Sequence, residues 1–286
     1  RPARITIERE EARMTTRLSR RTLLAAVPAG ALAAASRSRE RMLHLPLRSR
    51  FEVVKGSEIW QEVQFHRDFS VPRTAIVICD MWDNHWCKGA ARRVAALARR
   101  MEPVLEQARA GGIQIIHSPS EVMDFYKDDP ARRRILEAPS VTPPASLALS
   151  DPPLPIDDKA GGCDTHDKFY KAWTRETATL RIGEGDVISD KGTEVYSFLR
   201  YRQIENLLMM GVHVNMCVLN RTFAIRQMTK WGIHCVLMRD LTDSMYDPEQ
   251  SPHVSHAQGT ELVIEHIEKY WAPSALSPDL MQALQA

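Results

Sequence analysis

Unbroken apolar runs punctuate this chain at intervals, and the stretches between them carry a helical period. Thr74-Ala75-Ile76-Val77-Ile78-Cys79, Leu207-Leu208-Met209-Met210 and Ile233-His234-Cys235-Val236-Leu237-Met238 show no apolar/polar alternation. Such runs suit central parallel strands, which are buried on both faces. Ile113-Gln114-Ile115-Ile116 and Asp186-Val187-Ile188-Ser189 are shorter strands of the same kind. Residues 92–110 read as a helix ended by Gly111-Gly112, and further helices are predicted near 194–204, 217–230 and 255–270. In the helix near 217–230, positions 218, 219, 222, 223, 225 and 228 form one broad apolar face. Strand–helix alternation predicts a three-layer α/β/α fold with a central, mostly parallel, Rossmann-like sheet covered on both faces. Ligands of such sheets bind beyond the carboxyl ends of the strands.

Two segments interrupt this rhythm. Arg50-Phe51-Glu52-Val53-Val54 and Trp60-Gln61-Glu62-Val63-Gln64-Phe65 predict a hairpin around Lys55-Gly56-Ser57, within an N-terminal extension spanning 37–72. Residues 118–181 form a proline-rich insertion, with Gly161-Gly162 following its last proline, inside a main domain assigned to 73–275. Its aromatic residues Phe125, Tyr126, Phe169, Tyr170 and Trp173 predict an ordered cover rather than a tether. Residues 276–286 read as a tail.

Ahead of the extension, Ser19-Arg20-Arg21-Thr22-Leu23-Leu24 precedes an Ala/Leu/Val-rich stretch and then Ala33-Ala34-Ala35-Ser36. A basic region, a short apolar run and small residues in that order predict an export signal over residues 1–36. The arginine pair resembles the twin-arginine motif. Met14 reads as the true start, and the mature protein is expected outside the cytoplasm, in the periplasm or beyond, with no membrane association once the signal is removed. The apolar stretch is too short for a permanent span.

Composition changes this picture little. Hydrophobic residues at 44% and charged residues at 26% describe an ordinary globular chain, and a net charge of +2 makes no case for a nucleic-acid partner. The five cysteines (79, 87, 163, 217 and 235) form neither a C-x-x-C pair nor a zinc-finger spacing. Cys79 and Cys235 lie in strand-like runs and read as core. A Cys87–Cys163 bridge is compatible with an exported chain, although folded export makes it unnecessary for folding.

The candidate chemistry falls at strand ends. Cys217 stands where the run 207–211 gives way to a helix. There, the unpaired N–H groups and helix dipole are expected to lower its thiol pKa and to hold a developing oxyanion. Asp80 follows the first core strand and Lys191 the third, so all three groups should meet at one edge of the sheet. Separately, each has a bland reading: Asp80 as a cap, Lys191 as a surface lysine, Cys217 as packing. Trp82 and Trp86 offer flat pocket walls or core aromatics, and His85 and His117 are assigned to the same pocket.

These segments resemble the isochorismatase-like cysteine hydrolases, the superfamily that includes nicotinamidases and N-carbamoylsarcosine amidase. The resemblance covers roughly residues 73–270. It rests on Ala75-Ile76-Val77-Ile78-Cys79-Asp80, on Ser189-Asp190-Lys191-Gly192 with Tyr196, Ser197, Phe198 and Leu199, and on Gly211-Val212-His213-Val214-Asn215-Met216-Cys217-Val218. Thr222, Ala224 and Gly232 continue the last segment. It implies an Asp80–Lys191–Cys217 triad in which Asp80 is the general base, Lys191 the cation beside both, and Cys217 the nucleophile. It also implies an oxyanion hole from the backbone N–H groups of His213 and Cys217, and a cis peptide at Val212–His213. The implied reaction is hydrolysis of a small-molecule amide or carbamoyl C–N bond through a thioester.

There are departures from the family. Asp80-Met81-Trp82-Asp83 replaces its frequent Asp-x-Gln. The nicotinamidase metal motif is not evident either. His117 with Asp164 and His166 is the set that could in principle hold zinc, but scattered histidines are more often hydrogen-bonding groups, so no metal or other cofactor is expected. Vinyl-ether hydrolysis of the isochorismate type is the related alternative, against which Cys217 argues. A non-catalytic binding protein and a thiol redox protein are the readings from other classes. The expected partner is a small-molecule substrate, and the family resemblance implies a homo-oligomer.

Overall fold

The computed structural model describes residues 40–286; the export signal assigned to residues 1–36 lies outside them. Eight strands form one sheet: β1 (Met42–Glu52), β2 (Trp60–Ser70), β3 (Thr74–Cys79), β4 (Gln114–Ser118), β5 (Val187–Ile188), β6 (Asn206–Val212), β7 (His234–Asp243) and β8 (Ser274–Ala275). The helices are α1 (Lys88–Ala110), α2 (Pro130–Leu136), α3 (Gly192–Tyr201), α4 (Cys217–Asn220), α5 (Ile225–Lys230), α6 (His256–Tyr270) and α7 (Ser277–Ala283). Strand order is β2-β1-β8-β7-β6-β3-β4-β5. Every pairing from β8 through β5 is parallel, and only the β1–β2 and β1–β8 pairings are antiparallel.

The unbroken apolar runs are the central strands, as their pattern predicts. Successive side chains of a strand point to opposite faces. Ala75, Val77, Leu207, Met209, Cys235 and Leu237 therefore join one core with α3, α5 and α6. Ile76, Ile78, Leu208, Met210, Val236 and Met238 join the other with α1 and α7. Among the described residues no helix is long and apolar enough to cross a membrane.

Three elements differ from expectation. The hairpin is longer than predicted and widens the main sheet: β1 pairs with β8 and buries Leu43, Leu45 and Leu47. Residues 277–283, read as tail, are helical as α7 and bury Leu280 completely. The single helix predicted over 217–230 is two, because Arg221 leaves α4 in an extended conformation with ψ 154°. Chain through the insertion leaves the carboxyl end of β4, runs along α3 and α5, and returns to the carboxyl end of β3. Val141 binds Ser197 in α3, Leu147 the carbonyl of Lys230, Asp157 that of Ser251, and Thr177 that of Met81. It is an ordered strap, as its aromatic content predicts.

Candidate active site

β3 and β6 are neighbours, so their carboxyl ends bring Asp80 and Cys217 together. The approach depends on Gly211. Its φ is +113°, and a Cβ there would lie 2.1 Å from the carbonyl oxygen of Cys79. Any side chain would force the two strands apart where both site residues leave them. Asp80 itself has φ +47°, an uncommon conformation for a residue with a side chain.

The Asp80 carboxylate is completely buried. One oxygen accepts the backbone N–H of Ser120 at 2.6 Å and the other accepts Arg221 Nε at 3.0 Å. The Cys217 thiol also interacts directly with it. Burial raises the Asp80 pKa above the usual carboxylate range, while Arg221 and the Ser120 N–H pull against that shift. Burial likewise pushes the Cys217 thiol well up, helped by the charge of Asp80 and opposed by Arg221. This reverses the helix-dipole expectation: α4 is a single turn, and desolvation outweighs what so short a helix supplies. At rest, a protonated thiol faces a carboxyl group that is paired with a guanidinium.

Arg221 is the residue paired with Asp80 that the sequence reading missed. It follows Cys217 by four positions, and one helical turn puts positions i and i+4 on the same side. Its signal was therefore present in the nucleophile segment. Lys191 is a correction. It caps α3 at the end of the edge strand β5, two strands from β3. Its side chain is 63% exposed, with Nζ 3.6 Å from Glu194 Oε1, and the cation placed on Asp80 is Arg221.

The Val212–His213 peptide is cis. The His213 backbone lies close enough to the Cys217 sulfur to oppose part of the rise in its pKa. Trp82, His85 and Trp86 come together, joined by aromatics of the strap. Trp82 stacks on Trp173 with ring centres 4.4 Å apart, Trp86 meets Phe169 edge-on at 5.6 Å, and His85 meets His213 at 5.2 Å. Burial lowers the pKa of His85 to about 4 and that of His213 to about 3, so both rings are neutral. Trp173 Nε1, His213 Nε2 and Ser120 Oγ are buried without protein partners.

His117 is the second correction. It is fully buried beneath this layer, with Nδ1 2.6 Å from Glu176 and Nε2 3.0 Å from Asp186, so it braces the strap rather than lining a pocket. Burial opposes its charged form, but the two carboxylates outweigh burial and raise its pKa to about 9. The set His117, Asp164 and His166 does not assemble either. Asp164 is held by Arg93, and His166 faces Asp247 and Glu249.

A cavity of about 30 Å³ beside Asp80, Trp82 and His85 has room for roughly one water molecule. A larger hollow, about 510 Å³, lies among Glu40, Arg73, Arg200 and Glu205. It opens at the amino ends of β3 and β6, away from the thiol, so the chemistry and not the volume identifies the site.

A parallel α/β sheet with a carboxylate and a thiol at adjoining strand ends defines an α/β/α protein with a cysteine-centred site. The isochorismatase domain model matches residues 74–266, and the chain belongs to that family. Solved structures are similar in fold. A cysteine hydrolase from Pseudomonas syringae pv. phaseolicola 1448A shares 17% identity with a TM-score of 0.51, over 76% of this chain and 94% of its own. A putative isochorismatase from Burkholderia xenovorans LB400 shares 16% identity at TM-score 0.46, over 76% and 89%. N-carbamoylsarcosine amidase from Thermoplasma acidophilum shares 15% at TM-score 0.38, over 72% and 96%. No curated protein matches the sequence.

Proposed function

We propose that this chain is a cysteine hydrolase that cleaves an amide or carbamoyl C–N bond of a small, uncharged molecule. The observation that carries the reading is the buried contact of Asp80 with both the Cys217 thiol and the Arg221 guanidinium. A carboxylate whose pKa is raised by burial is a stronger base than one in water, and it stands where the thiol proton must go. As sulfur attacks the carbonyl carbon, the proton passes to Asp80, and Arg221 offsets the negative charge that develops around it. The backbone N–H groups of His213 and Cys217 receive the oxyanion. Collapse of the tetrahedral adduct breaks the C–N bond as protonated Asp80 gives its proton to the leaving nitrogen. Water, deprotonated by the same carboxylate, then hydrolyses the thioester and regenerates the thiol.

Neutral His85 and His213, the tryptophans and the unpartnered Trp173 N–H favour a flat, uncharged substrate with one or two hydrogen-bonding groups. The test is a screen of small amides and carbamoyl compounds for ammonia release by the wild-type protein, with Cys217→Ala as control. Thioester trapping by mass spectrometry should place the acyl group on Cys217. Turnover retained by Cys217→Ala would sink the reading and favour a mechanism without a nucleophilic cysteine, such as vinyl-ether hydrolysis.

A further inference from the structure

Away from the Cys217 thiol, two further cysteines meet where the strap crosses the start of α1. Cys87 is the N-cap residue of α1 and is completely buried; Cys163 follows the Gly161-Gly162 turn of the strap and is 7% exposed. Their sulfurs and a carboxylate oxygen of Asp167 all lie within 4.8 Å of one another. Thr165 Oγ1 sits between the thiols, 3.4 Å from one and 3.5 Å from the other. The pair is held from both sides. Gly162 has φ +63°, and a Cβ on it would come within 2.2 Å of the Met245 carbonyl oxygen, which fixes the strap backbone against the β7 side of the molecule. On the helix side, the Cys87 N–H donates to His85 Nδ1 at 3.1 Å. Trp86 and Met216, the neighbours of His85 and Cys217 respectively, pack on the pair.

This cluster suits a two-electron oxidation better than a metal ion. The Asp167 carboxylate is already engaged by the Lys88 N–H at 2.9 Å, the Lys88 ammonium at 3.0 Å and the Thr165 hydroxyl at 2.6 Å. Asp164, the other nearby carboxylate, is bound by Arg93 at 2.6 Å. Two sulfurs alone fall short of the four ligands a structural zinc site needs.

We propose that Cys87 and Cys163 are an oxidisable dithiol, a modification site separate from Cys217, whose disulfide ties the strap to the first turn of α1. The oxidant is a low-molecular-weight disulfide. Cys163, the more exposed thiol, attacks one of its sulfurs as the thiolate, forming a mixed disulfide and expelling one thiolate. The Cys87 thiol then loses its proton and attacks the Cys163 sulfur, forming the Cys87–Cys163 bond and releasing the second thiolate. Two protein thiols lose two electrons and two protons, and the oxidant becomes two small-molecule thiols. Burial works against ionisation of Cys163, but hydrogen bonds from Cys87, Thr165 and backbone N–H groups outweigh it and lower its pKa, which favours attack from that side.

The experiment exposes reduced full-length protein to oxidised glutathione and counts free thiols after denaturation. The count should fall by two, and non-reducing peptide mapping should join the tryptic peptide carrying Cys163 to the one carrying Cys79 and Cys87, with fragmentation placing the bond on Cys87. Closing so long a loop should raise the melting temperature by roughly 5–10 °C, reversed by dithiothreitol. Cys87→Ser and Cys163→Ser should each abolish the link and the shift, whereas Cys217→Ser should keep both. An unchanged thiol count, a link that uses Cys217, or zinc retained at one per chain and lost in Cys87→Ser would each overturn the proposal.

Discussion

Arg221 and Asp80 decide what state Cys217 is in. Placing a thiol against a carboxylate in a dry site makes the thiolate harder to form, and a guanidinium on the same carboxylate partly cancels that effect. Removing either charge should therefore move the alkylation profile of Cys217 in opposite directions. Asp80→Asn should shift it to lower pH and Arg221→Gln to higher pH, read from iodoacetamide rates at this cysteine by mass spectrometry. Turnover should not follow alkylation. Asp80→Asn loses the base and should cost about 10²–10⁴-fold in kcat. Lys191→Ala should cost less than about tenfold, against roughly 10²-fold for Arg221→Gln. A Lys191→Ala loss larger than that of Arg221→Gln would return the cationic role to the lysine. Asp80 and Cys217 were legible in sequence because strand ends are legible. Arg221 was not singled out, because an i+4 arginine after a helix start is commonplace until its carboxylate partner, from a distant strand, is known.

Among the elements, the strap is the one whose attachment has a clear pH signature. His117 at the end of β4 holds Glu176 of the strap and Asp186 ahead of β5. Its folded pKa of about 9 lies above the ordinary histidine value of 6.5, so the bond stabilises the fold fully below the unfolded pKa and is lost as pH rises through the folded one. A difference of this size corresponds to about 3 kcal/mol. Urea unfolding of wild type and His117→Gln should show a gap of that order at pH 6 that shrinks by pH 10. A gap independent of pH would mean that His117 contributes by packing alone. Sequence reading placed His117 correctly on a strand end but turned it toward the pocket. A buried histidine and a pocket histidine occupy the same position in the pattern, and only the carboxylates brought by the strap separate them. Gly211 is the second test at this scale. Gly211→Ala should abolish turnover even where circular dichroism shows a folded protein, because the 2.1 Å approach to Cys79 must open.

For the whole molecule, the N-terminal hairpin and the C-terminal helix together close one face of the sheet. Leu45 of β1 and Leu280 of α7 are both completely buried in the core that also takes in α1. Leu45→Ala should therefore cost about 2–5 kcal/mol, as a central core position does, measured by chemical denaturation. A loss below about 1 kcal/mol would show that the hairpin is an appendage. The sequence alone determined the parallel sheet, its two-faced core, the hairpin, the ordered strap and the strand ends that bear Asp80 and Cys217. These follow from apolar periodicity, which is local and survives in the linear order. Only the tertiary structure decided that Arg221 rather than Lys191 touches Asp80, that His117 is buried, that the Cys217 pKa is raised, that Cys87 meets Cys163, and that residues 277–283 belong to the core. Each depends on which charge, sulfur or apolar face arrives from far along the chain, and pairing across that separation leaves no periodic trace in the sequence.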